Sequence, residues 1–285
     1  MPDESPQQLK NGSARNGSDI LLRFDNVTVS FDEVVALDRV SFEIRPAETK
    51  VVLGAAGSGK TTLLKTAIGL IRPDTGRVFL FGRDITRMKE RELFDLRAKV
   101  GVLFQESALF DSLSVEENVA YPLVNQPALH ISPEQALPKV QNALSLVELE
   151  RTIDKYPSEL SGGMRRRVGI ARAAVTDPPL VLYDSPTAGL DPITANTIMA
   201  LIAKERDLSN AANMIVTHRY QDGQIMANFR YNRESEKLVA VSGNGSQRDT
   251  GTQFMVLNEG RLVFEGSQAE LEASKDSYVS KFVRR

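Results

Sequence analysis

The amino-acid sequence predicts an α/β fold, in which a parallel sheet carries helices on its faces and antiparallel strands precede it. Short apolar runs separated by helical patterns are typical of strands buried in a parallel sheet. Such runs lie at 50–53, 180–183 and 214–217. Nearer the N-terminus, polar and apolar residues alternate at 22–24 and 40–44, which indicates antiparallel strands.

The other elements are predicted from turn and helix signals. Residues 107–159 are largely helical in pattern, and prolines punctuate them at Pro122, Pro127, Pro133 and Pro138. The remaining predicted elements are, in chain order, a helix at 60–71, a turn at 73–76, a strand at 78–82, a helix at 164–175 and a hairpin at 255–264.

Composition excludes several classes of protein. The chain has 285 residues, 41% of them hydrophobic and 25% charged, with a formal net charge of −2. This balance gives no basic bias toward nucleic acid, which is not expected as a partner. The chain contains no cysteine, so neither disulfides nor thiol chemistry are available. It also contains no run of about 18 apolar residues, so no membrane span is predicted. Residues 1–19 are polar, lack the apolar core of a secretory signal and are expected to form a disordered tail of a cytoplasmic protein.

One segment points to chemistry. Residues 54–61 read Gly-Ala-Ala-Gly-Ser-Gly-Lys-Thr, which is the pattern of a loop that cradles nucleotide phosphates. Glycines let successive backbone N–H groups turn toward one anion, and the helix that follows adds the positive end of its dipole. Lys60 would then reach the β- and γ-phosphates, and the Thr61 hydroxyl would ligate Mg²⁺. The alternative is a glycine-rich turn that serves only tight packing, but a strand before and a helix after are the context that a phosphate loop requires.

Two further segments carry a resemblance to a known family. Residues 160–164 read Leu-Ser-Gly-Gly-Met, and the apolar strand at 180–184 ends in a carboxylate. Together with the phosphate loop they resemble the ATP-binding cassette (ABC) family. The resemblance implies a P-loop NTPase fold with an antiparallel β subdomain and a helical subdomain at about 107–175, all within one ABC ATPase domain over 20–285. It also implies binding of ATP and Mg²⁺.

The resemblance further implies roles for individual residues. Nucleotide binding is expected of Phe31, Gly54, Ala55, Ala56, Gly57, Ser58, Gly59, Lys60, Thr61, Thr62, Ser161, Gly162, Gly163 and Asp191. Mg²⁺ is expected at Thr61, Gln105 and Asp184, and catalysis is expected of Gln105, Asp184, Ser185 and His218. Phe31 would stack on adenine, the alternative being an ordinary aromatic of a strand. His130, the other histidine, has no motif around it and is interpreted as a surface residue.

Ser185 departs from the family pattern. The family places a glutamate after the strand carboxylate, as the general base or water-orienting residue, and a serine does not accept a proton usefully at neutral pH. Loss of a general base removes about 10²–10⁴-fold in rate. Four accounts are open: hydrolysis is slow, another carboxylate moves in, the chain pairs with a second ATPase whose site is intact, or the substitution is engineered.

Partners follow from the same resemblance. The resemblance implies that the phosphate loop of one chain and residues 160–164 of another form a composite site, with ATP between the two chains. The chain is therefore expected to form a dimer, either a homodimer or a heterodimer. Local strings at 109–123, 157–164, 190–194 and 278–283 are similar to the ATPase subunits of Mla/Mce-type systems, which move phospholipids or other hydrophobic molecules between bacterial membranes. A membrane permease and an Mce-domain protein are then expected partners, with the chain peripheral on the inner face of the plasma membrane.

Two features and two other functions are left open. Arg165, Arg166 and Arg167 form either a solvated helix face or a contact for anionic lipid. The stretch at about 228–252 is longer than the family usually has; it contains a predicted small hairpin and is either a surface elaboration or a docking element.

Other functions considered are a transporter for another substrate and a non-transport ATP-dependent clamp. An ABC protein of translation or repair would carry a second cassette or a long coiled coil, and the chain has neither.

Overall fold

The computed structural model describes residues 20–126, 131–241 and 250–283. The expected tail at 1–19, together with Pro127, His130 and residues 242–249, lies outside these ranges. The strands, numbered in chain order, are β1 (Leu22–Phe31), β2 (Val34–Ile44), β3 (Thr49–Leu53), β4 (Thr75–Leu80), β5 (Arg83–Asp84), β6 (Val100–Leu103), β7 (Leu180–Asp184), β8 (Ala212–Thr217), β9 (Phe229–Asn232), β10 (Lys237–Ala240), β11 (Thr252–Asn258) and β12 (Arg261–Gly266). The helices are α1 (Lys60–Ala67), α2 (Glu90–Arg97), α3 (Val115–Val124), α4 (Pro133–Leu146), α5 (Gly162–Ala174), α6 (Pro192–Ser209), α7 (Tyr220–Asn228), α8 (Gln268–Glu272) and α9 (Ser280–Val283).

The central sheet has the strand order β12-β11-β3-β8-β7-β6. Its pairs are parallel from β11 to β6, and β12 is antiparallel to β11. Every residue of β3, β7 and β8 is buried, because both faces of the sheet are covered by other elements. Successive residues of β3 therefore enter different cores, Val51 and Leu53 on one face and Val52 on the other. The carboxyl ends of β3, β7 and β8 lie side by side, so the loops that follow them meet at one edge.

The antiparallel sheet has the order β2-β1-β4-β5, as the alternation at 22–24 and 40–44 predicts. Leu22 pairs with Ile44 on one side and with Leu80 on the other. The inner face of this antiparallel sheet shares a buried core with α1 and with one face of the central sheet. The other face of the central sheet shares a core with α3, α4, α5, α6 and α7. This arrangement is the α/β fold that the sequence predicts.

Several elements differ from the sequence-based expectation. Helix α1 ends at Ala67 rather than at 71, and Gly69 then adopts a left-handed φ of 69°. Strand β4 begins at Thr75, inside the predicted turn. Pro122 and Pro138 lie within α3 and α4 rather than between helices, because the apolar faces of both helices are buried in the core. Within the described ranges, no helix has the length and apolar character needed to cross a bilayer.

Candidate active site

The phosphate loop connects β3 to α1 at the carboxyl edge of the central sheet. Gly59, just before α1, has a φ of 101°, and a Cβ atom there would lie 2.3 Å from the Ala36 carbonyl oxygen. Gly57 is also left-handed, with a φ of 77° and open space around it. The loop therefore needs glycine at 59 for two reasons, conformation and contact with β2. Residues 55–57 are exposed, so the concave side of the loop is accessible to an anion.

Lys60 is buried at the centre of this loop. Its Nζ donates to the carbonyl oxygens of Gly54 at 2.9 Å and Ala55 at 2.7 Å, and to Ser58 Oγ at 3.3 Å. Burial lowers the pKa of Lys60, and the nearby charge of Asp184 opposes that shift. The loop itself thus provides hydrogen-bond acceptors for the Lys60 ammonium group. The group lies within the loop that is expected to bind phosphate.

The carboxylate that ends β7 joins the loop to the neighbouring strand. Thr61 Oγ1 donates to Asp184 Oδ1 over 3.4 Å, and Ser185 Oγ donates to the same oxygen over 3.1 Å. Asp184 is 2% exposed. The structure therefore brings together Lys60, Thr61, Asp184 and Ser185, which the sequence places in one site from segments far apart in the chain.

Ser185 has an unusual backbone for a residue with a side chain. Its φ is 51°, and its N–H donates to the Val216 carbonyl at 2.8 Å, which extends the pairing of β7 with β8 by one bond. Left-handed residues other than glycine are uncommon and concentrate at functional sites. The position after Asp184 is thus fixed by the sheet, whichever side chain it carries.

Gln105 lies in the exposed loop after β6, and an arginine of α5 fixes the backbone of that loop. Arg166 donates to the Gln105 carbonyl, and also to the carbonyls of Phe104 at 3.4 Å and Ala188 at 3.3 Å. Arg172, one helical turn and a half further on, donates to the Ser107 carbonyl at 2.5 Å. Helix α5 therefore holds the Gln105 loop and the loop after β7 in one arrangement.

This result corrects the interpretation of Arg166, one of the three arginines for which a solvated face or a lipid contact was expected. Arg166 is 7% exposed and its pKa is lowered by burial, so it belongs neither to a solvated face nor to a lipid contact. Arg167 donates to the Val147 carbonyl over 3.5 Å and pairs with Glu148 over 3.7 Å. Arg165 is exposed, but it too donates to a carbonyl, that of Leu160. Arg166 could not be recognised from sequence because its acceptors lie about 60 and 20 residues away along the chain.

Residues 161–163 lie at the start of α5, with Ser161 as its N-cap. Ser161 is exposed and caps the helix, its Oγ accepting from Met164 N over 3.2 Å. A Cβ on Gly163 would lie 2.9 Å from a methyl carbon of Thr194, so α5 and α6 are close at their first turns. Within the described ranges, no hydrogen bond joins residues 161–163 to residues 54–62. Asp191 caps α6 by accepting from the N–H groups of Ile193 and Thr194, both at 3.0 Å.

The last predicted residues flank the loop. His218 is exposed directly after β8, whose partner strands are β3 and β7. Phe31 is 48% exposed at the end of β1, opposite Val34 of β2, in a hairpin that leads to Ala36 beneath Gly59. Tyr278 is an addition that motif patterns did not indicate as part of the site. Its hydroxyl accepts from Ala55 N over 3.2 Å and donates to the Leu257 carbonyl over 3.3 Å.

Several known proteins with similar sequences are ATP-binding proteins of transport systems. The chain is 34% identical over 221 residues to the intermembrane phospholipid transport system ATP-binding protein MlaF of Haemophilus influenzae, a match over 77% of this chain and 83% of MlaF. It is 42% identical over 221 residues to the methionine import ATP-binding protein MetN of Carboxydothermus hydrogenoformans, over 77% of this chain and 61% of MetN. It is 34% identical over 281 residues to the chloroplastic protein TRIGALACTOSYLDIACYLGLYCEROL 3 of Arabidopsis thaliana, over 96% of this chain and 76% of that relative.

A solved structure and a family model agree with these relatives. The dimeric ATP-binding cassette MJ0796, in a post-hydrolysis state with ADP and Pi, matches with a TM-score of 0.71 at 28% identity, over 86% of this chain and 98% of MJ0796. The model of the ABC transporter family matches residues 37–188, which include both the phosphate loop and Asp184. The chain therefore belongs to the ABC transporter family, and it is an ATP-binding, ATP-hydrolysing cassette of that family.

Proposed function

We propose that this chain powers the movement of phospholipid or another hydrophobic molecule in an Mla/Mce-type system. The observation that carries the proposal is the likeness to MlaF, a phospholipid-transport ATPase by name, over most of both chains. The chloroplast relative, whose name contains that of a lipid, adds support because its match covers 96% of the chain and so extends across the insertion at about 228–252.

In the proposed mechanism, the phosphate loop binds ATP. The backbone N–H groups of the loop, the dipole of α1 and the Lys60 ammonium stabilise the negative charge of the phosphates. Lys60 would exchange its bonds to Gly54 and Ala55 for bonds to phosphate oxygens, which are better partners because they are charged. The half-exposed ring of Phe31 would stack on adenine at the edge of the same loop.

A magnesium ion fits the residues beside the loop. The Thr61 hydroxyl and the Asp184 carboxylate are hard oxygen donors 3.4 Å apart, and such donors, together with substrate phosphates, are the ligands that Mg²⁺ prefers. Gln105 would complete the set from the neighbouring loop. When bound, the ion neutralises charge on the phosphates.

The hydrolytic step is proposed to be slow. Ser185 occupies the fixed position after Asp184, and its hydroxyl is already directed to Asp184 Oδ1, so it provides no proton acceptor for an attacking water. Gln105 and His218 would then orient the water and contact the γ-phosphate without a general base. ATP binding does not need a general base, so the absence of one would lower the rate of hydrolysis without lowering the affinity for ATP.

The partners proposed are a second cassette, an integral membrane permease and an Mce-domain protein. Residues 161–163 and Asp191 would complete the nucleotide site of the second cassette, and the chain would lie on the inner face of the plasma membrane through its permease. A second candidate is import of another substrate, such as an amino acid. The 42% identity to MetN favours it, being higher than the identity to MlaF.

One purification separates the two candidates. The tagged full chain is recovered from its native host in mild detergent and its partners are identified by mass spectrometry. A permease together with an Mce-domain protein, and altered membrane-lipid asymmetry or hydrophobic-compound uptake on deletion of the gene, would support lipid transport. Recovery of an amino-acid or sugar permease would overturn it and favour the second candidate.

A further inference from the structure

Asp222, in the first turn of α7, is one of the most buried charged residues that the structure describes, at 1% exposure. One of its oxygens, Oδ2, accepts two short hydrogen bonds, from Thr187 Oγ1 and from Thr217 Oγ1, both at 2.7 Å. Arg219 Nε lies 3.7 Å from the other oxygen. Both threonine hydroxyls are themselves buried. A carboxylate is thus placed where two loops of the active site converge.

The two threonines belong to the loops that carry the proposed hydrolytic residues. Thr187 lies two residues after Ser185, in a turn that the Ala188 N–H closes onto the Ser185 carbonyl at 3.0 Å. Thr217 directly precedes His218, and its Oγ1 also accepts from Arg219 N at 3.1 Å, on the other side of His218. One carboxylate oxygen therefore connects the backbone around Ser185 with the backbone around His218.

Helix α7 gives Asp222 a rigid base. A Cβ on the next residue, Gly223, would lie 2.3 Å from a ring carbon of Phe254 and 3.0 Å from Val51 Cγ1, so the helix packs directly on β11 and β3. β3 is the strand that leads into the phosphate loop. Asp222 is consequently fixed relative to that loop, and its hydrogen bonds hold both threonine side chains in place.

We infer that Asp222 is a positioning residue for ATP hydrolysis, which holds the loops of Ser185 and His218 at one mutual distance through Thr187 and Thr217. Both threonine hydroxyls donate to one oxygen, and a carboxylate oxygen accepts such bonds more strongly than the amide oxygen of an asparagine would. Burial raises the pKa of Asp222, and the threonine hydroxyls and Arg219 counteract that effect. The inference rests on the proposed roles of Ser185 and His218: one residue, Asp222, sets the positions of the loops that carry both.

The test is a set of double-mutant cycles on the full chain, read out as single-turnover phosphate release from pre-bound Mg-ATP. Asp222→Asn and the isosteric variants Thr187→Val and Thr217→Val should each lower the hydrolysis rate by about tenfold, with the Kd for Mg-ATP changed less than twofold. His218→Ala should lower the rate in the wild-type background but have little further effect beside Asp222→Asn. A purely structural residue would give effects that multiply independently.

The controls keep each outcome decisive. Asp207→Asn changes another buried aspartate, far along α6, and should lower stability but not the rate. All rates are measured also with Ser185→Glu; if that substitution leaves turnover unchanged, the Ser185 proposal fails while the Asp222 comparison still stands. Rates of Asp222→Asn within twofold of the parent, no effect of His218→Ala, or independent effects of the two, would overturn the inference.

Discussion

At the scale of single residues, Arg166 shows how the site is held from inside the protein. Its guanidinium donates to carbonyls of two loops, at Gln105 and Ala188, while its backbone is part of the helix that Ser161 caps. A planar group with five donors can serve several carbonyls at once, which a lysine cannot do in the same geometry. Arg166 thus links the Gln105 loop, the loop after Ser185 and the start of α5.

Replacing Arg166 should therefore impair hydrolysis more than nucleotide binding. Arg166→Ala removes the donor from the carbonyls of Phe104, Gln105 and Ala188, whose bonds to the guanidinium are partly buried, and it frees the Gln105 loop. We expect about a tenfold loss of turnover and a lower unfolding temperature, and Arg166→Lys should restore neither fully. The matched control is the exposed neighbour, Arg165→Ala. Equal turnover of Arg166→Ala and Arg165→Ala in a phosphate-release assay would show that Arg166 has no such role.

At the scale of elements, residues 229–240 of the insertion form a hairpin that is bound to the rest of the domain. Strands β9 and β10 pair with Lys237 opposite Asn232, and β9 begins at Phe229 because α7 continues to Asn228. A buried carboxylate at the end of α6 anchors the hairpin: Asp207 accepts from Arg230 Nη1 and from Tyr231 N, both at 2.7 Å. Arg206 completes the anchor by donating to Asp207 and to the Phe229 carbonyl at 2.9 Å.

Loss of that carboxylate should release the hairpin and leave the ATPase core in place. Hydrogen bonds to charged groups contribute about 1.5–3 kcal/mol each, so Asp207→Asn should raise amide exchange in β9 and β10 by about tenfold or more. Exchange in β3 and β7 should change much less. Asp177→Asn, whose exposed carboxylate pairs with Lys139 at the surface, is the control. Uniform acceleration of exchange throughout the chain would mean that the hairpin is not a separate unit.

Elements with a local signal could be predicted from sequence, whereas those decided by packing could not. The apolar runs at 180–183 and 214–217 became β7 and β8 because burial on both faces leaves a continuous apolar pattern. Pro122 and Pro138 resemble helix ends locally, but burial of the surrounding helix faces outweighs one lost backbone bond. In the site, the phosphate loop and Asp184 have local patterns. Arg166 and Asp222 do not, since their partners come from other loops.

At the scale of the whole molecule, one chain carries two segments that we propose to bind the phosphates of ATP. The phosphate loop with Lys60 lies at the edge of the central sheet, and Ser161 with its two glycines lies exposed at the start of α5. The structural relative MJ0796 is dimeric with ADP and Pi bound. A pair of chains would bring each exposed α5 terminus against the nucleotide of the other chain.

Mg-ATP should therefore convert the protein to a dimer. Light scattering of the full chain should give the monomer mass without nucleotide and twice that mass with Mg-ATP. Ser161→Arg should abolish the change, because a large side chain would block the surface that meets the other chain's nucleotide. Ser280→Arg, a change near the C-terminus, is the control. A chain that remains monomeric with Mg-ATP, alone and with its permease, contradicts the composite site.

We expect this cassette to bind ATP with ordinary affinity and to hydrolyse it slowly, because Ser185 lies where hydrolysis needs a proton acceptor. The most direct test is steady-state phosphate release by the assembled complex, comparing wild type with Ser185→Glu and with Ser185→Gln, a variant of similar size that accepts no proton. Ser185→Glu should raise turnover by about 10²-fold with little change in nucleotide affinity, and Ser185→Gln should not. Wild-type turnover of about 1 s⁻¹ or faster, with no gain from the glutamate, would show that Ser185 causes no defect in hydrolysis.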